Sequence, residues 1–189
     1  RRIELSDYGV LHLSPRPGTN AAVMLGLAHV VARDGLVDRA FVEERTEGYE
    51  AVEELLASYV PDAVEAITGI AAADLEAAAH VYGEAGRACI LWGLGVTEQK
   101  YGSEVVRLIC NLALMTGKVG RPGSALLPLR GQNNVQGSSD MGALPDTYSD
   151  YRHVSDEEVA RSFEERWGVA LSREQGMKIP EMFDAAIAG

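Results

Sequence analysis

The sequence predicts an α/β fold, rich in helices, with a few parallel strands and a helical C-terminal segment. Three observations carry this expectation. Arg87–Trp92 (RACILW) is a nearly continuous apolar run, as expected of a strand covered on both faces. Gly93-Leu94-Gly95 follows it, and then a helical pattern begins. Elsewhere, apolar residues recur at helical spacing between glycine and proline breaks.

Composition narrows the function classes. With 189 residues, the chain can bury a sizeable core and make one domain or slightly more. Its formal charge of -11 argues against a binder of nucleic acid or of anionic membranes. No apolar run reaches the roughly 18 residues a membrane span requires, and no secretory-leader pattern is legible at the start. The first residue is Arg rather than Met, as expected of an excised piece. Cys89 and Cys110 stand far apart among apolar neighbours, so both read as small buried hydrophobes. His29 and His80 sit in helical patterns as packed or surface residues, and no Cys/His spacing suits a metal.

In chain order, Val10–Ser14 is β-prone and reads as a strand. Pro15-Arg16-Pro17-Gly18 ends it, and Thr19 or Asn20 can cap the next helix. A glycine turn before a helix N-terminus is either an ordinary connection or an anion site, because the first N–H groups point outward. Residues 20–34 follow as a helix with Ala21, Met24, Leu25, Ala28 and Val31 on one face, stopped by Gly35. Asp38 caps a short helix through Val42, and another runs from Glu47 to Tyr59. Pro61 opens a third, ended by Gly69; Ala72–Gly86 makes a fourth, with Leu75, Ala78, Ala79 and Tyr82 inward. The Met and aromatic positions of this block read as core. After the strand, the next helix runs to about Thr116, with Val106, Ile109, Cys110, Ala113 and Leu114 buried. Gly117–Pro128 is a connector in which Lys118 and Arg121 read as solvated cations rather than phosphate ligands. Ser155-Asp156-Glu157-Glu158 starts a helix reaching Trp167, and Ile179–Ala188 forms the last.

Leu129–Gly142 (LRGQNNVQGSSDMG) fits neither a buried helix face nor an alternating strand. Arg130 offers a rigid, always-charged donor fork for a carboxylate or phosphate. Gln132, Asn133, Asn134 and Gln136 both donate and accept, so they can read a heterocycle or an oxyanion. A polar surface loop with helix-capping residues is the plainer alternative.

The wording of this stretch, RGQNNVQGSSDMGALPDTY, resembles the large (alpha) subunit of the molybdopterin-dependent formate dehydrogenases. RPGTNAAVMLGLAHVVARDGLVDRAFVEERTEGYE, ITGI with AAADLEAAAHVY, ILWGLGVTEQKYG and NLALMTGKVGRPGSALLPLRGQNN agree in the same order. The likeness weakens after about Tyr151. It implies that residues 1–131 are the later part of a partial Rossmann-like domain binding molybdopterin guanine dinucleotide, and 132–189 the start of the next segment. It assigns Gly18, Thr19, Asn20, Leu94, Gly95, Glu98, Gly131 and Gln132 to the cofactor. Glu98 departs from the glutamine of the family; its carboxylate can accept from a guanine or pterin N–H. Arg1 falls where the family has an arginine after an Asp-Pro pair, which is absent here.

The resemblance also assigns Arg130 to formate, with an anchor for pterin or phosphate as the competing role. It implies oxidation of formate to CO2 at molybdenum or tungsten, with electrons leaving through a 4Fe-4S cluster. The cluster cysteines and the Cys or selenocysteine ligand with its adjacent histidine do not occur in this sequence. They are expected in other parts of a longer chain, so the 189 residues alone are expected to be inactive. Expected partners are formate, the rest of the large subunit and electron-transfer subunits, in the cytoplasm or membrane-associated through partners. Another bis-pterin oxidoreductase and a non-catalytic cofactor-binding or assembly module are the alternatives.

Overall fold

The computed structural model describes residues 2–189; Arg1, and the expectation placed on it, lie outside them. The chain divides into two compact units, the first ending at Leu129 and the second running from Arg130 to Gly189.

The first unit is built around α1, Asn20–Arg33. Around it follow α2 (Arg39–Arg45), α3 (Tyr49–Leu56), α4 (Pro61–Thr68) and α5 (Ala72–Gly83). Then come β1 (Cys89–Trp92), the four-residue α6 (Leu94–Thr97), α7 (Gly102–Met115) and β2 (Ala125–Pro128). Local chemistry explains the ends. The Asp38 carboxylate accepts from the Phe41 N–H and starts α2. Pro61 opens α4, and Gly69, at φ +75°, closes it.

Leu25, Ala28, Val30 and Val31 of α1 pack with Leu56, Ala79, Leu112 and Met115; Met24, Tyr49, Tyr59 and Tyr82 close over this cluster. Val64, Ile70 and Leu75 form a second cluster. Gly26 lets α1 approach it: an added Cβ would lie 2.8 Å from Leu75 and 2.9 Å from Val64.

β1 and β2 pair in parallel, Cys89 opposite Ala125 and Trp92 opposite Pro128. The strand at Arg87–Trp92 is therefore present but shorter, and its covering differs from the expectation. Ile90 and Trp92 are half-buried while Cys89 and Leu91 are exposed, because no described layer lies over that face. Cys89 is thus not a buried hydrophobe; Cys110 is half-buried. Val10–Ser14 forms no strand. A strand persists only where its backbone groups find a partner, and none pairs with this run; a 3-10 helix at Glu4–Tyr8 precedes it.

The buried face of α7 is turned slightly from the predicted one. Val105, Leu112 and Met115 are buried with Ile109 and Ala113, while Val106, Cys110 and Leu114 are half-buried. Lys118 is also corrected: it is buried, donating from Nζ to the Gly83 carbonyl at 3.0 Å and lying 5.0 Å from the Tyr82 ring centre. Burial pushes its ammonium below the ordinary lysine range. Arg121 pairs with Asp38 at 2.8 Å, so both connector cations hold the scaffold.

In the second unit, α8 spans Val135–Asp140, α9 Glu157–Trp167 and α10 Ile179–Ala188. Asp156 caps α9 by accepting from the Glu158 and Val159 N–H groups. Tyr148, Phe163 and Trp167 cluster, with Phe163 tilted and centred 4.8 Å from Tyr148 and edge-on at 4.9 Å from Trp167. Arg173 grips Glu164 with two nitrogens, at 2.8 and 3.0 Å. No described helix is long and apolar enough to cross a membrane.

Candidate functional site

Each unit brings some of the expected residues into a constellation. In the first, Arg16-Pro17-Gly18-Thr19 turns into α1 with Gly18 at φ +83°. The Arg16 guanidinium reaches back to the Ala66 and Ile67 carbonyls at the end of α4, at 2.8 and 3.3 Å, and holds the turn. Thr19 occupies the N-cap, yet its hydroxyl donates backward to the Arg16 carbonyl at 2.7 Å. The leading N–H groups of this 14-residue helix consequently receive no side-chain cap.

That helix start opens on a cleft of about 210 Å³ lined by Gly18, Asn20, Ala21, Gln99, Lys100, Tyr101 and Val105. Gln99–Tyr101 immediately follow the loop after β1. The Gln99 amide donates to the Gly95 carbonyl, tying that loop to the cleft wall. The Lys100 ammonium lies 5.2 Å from the Tyr101 ring centre. Leu94, Gly95 and Glu98 are exposed and do not line the cleft themselves. Gln99, Lys100 and Tyr101 were not singled out from the sequence; the available signal was a lone cation beside an aromatic just after a glycine loop.

The donor set suits an anionic, partly aromatic ligand. Helix N–H groups and the Lys100 ammonium favour negative charge, while Asn20 and Gln99 can both donate and accept. A dinucleotide arm of a pterin cofactor, with phosphates and a heterocycle, fits that chemistry. Among the described residues, no group of three His, Cys, Asp or Glu side chains is arranged to hold a metal.

The second constellation lies in the second unit, which follows Leu129, whose N–H donates to the Trp92 carbonyl at 2.7 Å. Arg130 is the next residue and is exposed. Its Nε and Nη2 donate to Gln136 Oε1 at 3.1 and 2.7 Å. Gln136 Nε2 donates to Asp140 Oδ1 at 2.9 Å and to the Tyr151 hydroxyl at 3.0 Å. The Tyr151 hydroxyl donates to Asp140 Oδ1 at 2.8 Å, and this bond raises the phenol above its ordinary range. The glutamine bonded to Arg130 is Gln136; Gly131 and Gln132 are exposed.

The molybdopterin oxidoreductase family model matches residues 2–186.

The chain belongs to the molybdopterin oxidoreductase family.

Formate dehydrogenase H of Escherichia coli is 42% identical over 190 residues, covering 100% of this chain and 27% of that protein. A formate dehydrogenase subunit alpha of Methanocaldococcus jannaschii is 40% identical over 184 residues, covering 97% of this chain and 27% of that one. The molybdopterin oxidoreductase chain described here thus spans about a quarter of the length of these relatives. Among solved structures, acetylene hydratase from Pelobacter acetylenicus matches with a TM-score of 0.63 and 30% identity, over 65% of this chain and 17% of that one.

Proposed function

We propose that this chain is an internal section of a formate dehydrogenase catalytic subunit, one that holds cofactor and orients formate for oxidation to CO2. The observation that carries the reading is Arg130: an exposed guanidinium steadied by the neutral Gln136 amide.

The cofactor proposed is molybdopterin guanine dinucleotide with molybdenum or tungsten, which would supply the two-electron redox chemistry, with a 4Fe-4S cluster elsewhere in the longer protein as electron exit. Gly18, Thr19 and Asn20 would hold its anionic arm through the uncapped α1 N–H groups, with Lys100 adding opposite charge. Gly95 would serve that site through Gln99, and Leu94 and Glu98 through the same loop. In the second unit, Gly131 and Gln132 keep the cofactor roles that the resemblance implies. Formate is a small planar anion with little else to grip. Arg130 would hold its two oxygens and leave the C–H bond directed away from the guanidinium. The proposed setting is cytoplasmic, with electron-transfer subunits as partners.

A second reading is another pterin enzyme on the same scaffold, favoured by the likeness to an acetylene hydratase. Folds do not determine reactions. Formate-dependent dye reduction by the full-length, cofactor-loaded protein separates the two; its absence favours the second.

Arg130→Lys tests the residue. Lysine keeps the charge and loses the planar fork. In the full-length enzyme kcat/KM for formate should fall about 100-fold or more, as for a lost transition-state contact, with cofactor content near normal. Loss of pterin, with the loaded fraction turning over normally, would instead make Arg130 an anchor.

A further inference from the structure

We propose that Gln136, Asp140 and Tyr151 form one positioning unit that aims the Arg130 guanidinium for end-on capture of a planar carboxylate; this rests on reading Arg130 as the substrate-orienting residue. A guanidinium presents two fork edges, one from Nε with one terminal nitrogen and one from the two terminal nitrogens. Gln136 Oε1 occupies the first, taking bonds from Nε and Nη2. Nη1 has no partner among the described residues and Arg130 is exposed, so the end-on edge keeps two parallel donors available. Those donors match the two oxygens of a carboxylate.

The amide can sit only one way round. Its NH2 group donates to Asp140 and to Tyr151, and its oxygen accepts from Arg130. Reversed, it would set donors against the guanidinium and an oxygen against the Asp140 carboxylate. The Tyr151 hydroxyl donates onward to Asp140 and closes the network. Each link therefore fixes the next.

The backbone is strained where it delivers Tyr151. Asp150 and Tyr151 both have positive φ, 64° and 54°, which side-chain-bearing residues uncommonly adopt. Such strain persists where surrounding contacts over-determine it, and it clusters at functional sites. The turn after α8 also presses on this segment. At Gly142, φ +88°, an added Cβ would lie 2.7 Å from Ser149 N and Tyr148 C, and Ser149 Oγ donates to the Met141 carbonyl at 3.1 Å.

Neutrality at position 136 is the second half of the device. A carboxylate there would pair with the guanidinium and cancel the charge that attracts an anion. An amide oxygen orients the group and leaves its charge available, while Asp140 acts one bond further away. Gln136 is thus a positioning residue, and its two properties separate by mutation.

The test uses the full-length, cofactor-loaded enzyme with formate as substrate. A second readout is calorimetric binding of nitrate to the oxidised protein, since nitrate is planar and carries no C–H bond. Gln136→Glu should raise KM and the nitrate Kd together by about tenfold, with kcat changed less than about threefold. Gln136→Leu keeps the charge and frees the fork, so kcat should fall about tenfold with a smaller change in KM. Tyr151→Phe removes only a hydroxyl and should lower kcat about threefold. If both Gln136 variants stay within about twofold of wild type while Arg130→Lys loses its activity, the positioning unit is wrong and the reading of Arg130 stands. If Arg130→Lys is itself silent, that reading fails and takes this proposal with it. Should the Gln136 variants not accumulate, Tyr151→Phe decides, and wild-type kcat and nitrate affinity in that variant overturn the proposal.

Discussion

In the first unit sixteen apolar side chains are buried, and Val30, Val31, Val64 and Leu75 are fully sealed. Among the described residues after Leu129 only Val154, Val159 and Ala160 are buried apolar side chains. Burial therefore explains the shape of the first unit and cannot by itself explain the second. There, order comes from directional contacts: the Glu164–Arg173 pair, the Asp156 cap, three rings in tilted and edge-on contact and the four-residue network that holds Arg130. Apolar contact is non-directional, whereas hydrogen bonds specify the angle of a side chain. A guanidinium that faces one small anion, as proposed for Arg130, is better served by the second kind of support. Its cost is sensitivity to any single lost partner.

Leu75→Ala should have the largest effect on stability. Leu75 is fully buried between α1 and α4, and truncating such a leucine costs about 2–5 kcal/mol. Hydrogen exchange in the full-length protein should rise across α1, α4 and α5 and stay unchanged in α9. An equal rise in α9 would show that the two regions are not separately supported.

Acid should act on the second unit. The Arg173 guanidinium, then the Leu171 N–H, hold the Glu164 carboxyl down at about 2, below its ordinary 4.5. Its pKa is lower in the folded state, so the unfolded chain takes the proton first. The contribution is complete above about pH 4.5, shrinks as pH falls and is gone below about pH 2. The Trp167 signal should follow that window, and Arg173→Gln should weaken the dependence, leaving the part held by the Leu171 N–H. A midpoint unmoved by the substitution would separate the acid response from this ion pair.

The smallest expected effect has the opposite sign and belongs to the first unit. His80 bridges Glu84 and Asp34, each at 2.8 Å, and these bonds raise it above its ordinary 6.5. Its folded pKa is the higher one, so the contribution is full below pH 6.5 and fades as pH rises through the folded value. Asp34 does not titrate in that window, because Arg33 and His80 hold its carboxyl well below the carboxylate range. Exchange at the end of α5 should grow toward alkaline pH, and His80→Gln should flatten the slope. The bridge is exposed, and salt should weaken the effect.

Much of the helical framework was legible from sequence. Asp38, Pro61, Gly69 and the Ser155–Glu158 start mark ends that the structure keeps, because a helix terminus is decided by groups within about four residues of it. Arg130 stood out for the same reason: its fork chemistry is intrinsic to the residue. Its partner was less visible. Gln132 is nearer in sequence, but Gln136 and Asp140 share a face of α8 at helical i,i+4 spacing, a signal that becomes decisive once Tyr151 arrives from eleven residues on.

By itself, then, the sequence determined where most helices begin and end, the acidic character of the chain, its family and the residue types available for anion binding. Tertiary structure alone decided the contacts between segments distant in the chain. Val10–Ser14 has the composition of a strand and finds no partner. Cys89 and Leu91 have the composition of a covered strand and lie exposed. Lys118 reads as a loop cation and is buried against Gly83 and Tyr82, more than thirty residues earlier. Gln99–Tyr101 meet Gly18 and Asn20 only because α1 and α7 pack together. The physical reason is one of range: capping and periodicity act over a turn or two of chain, while pairing and burial depend on which distant surface arrives opposite.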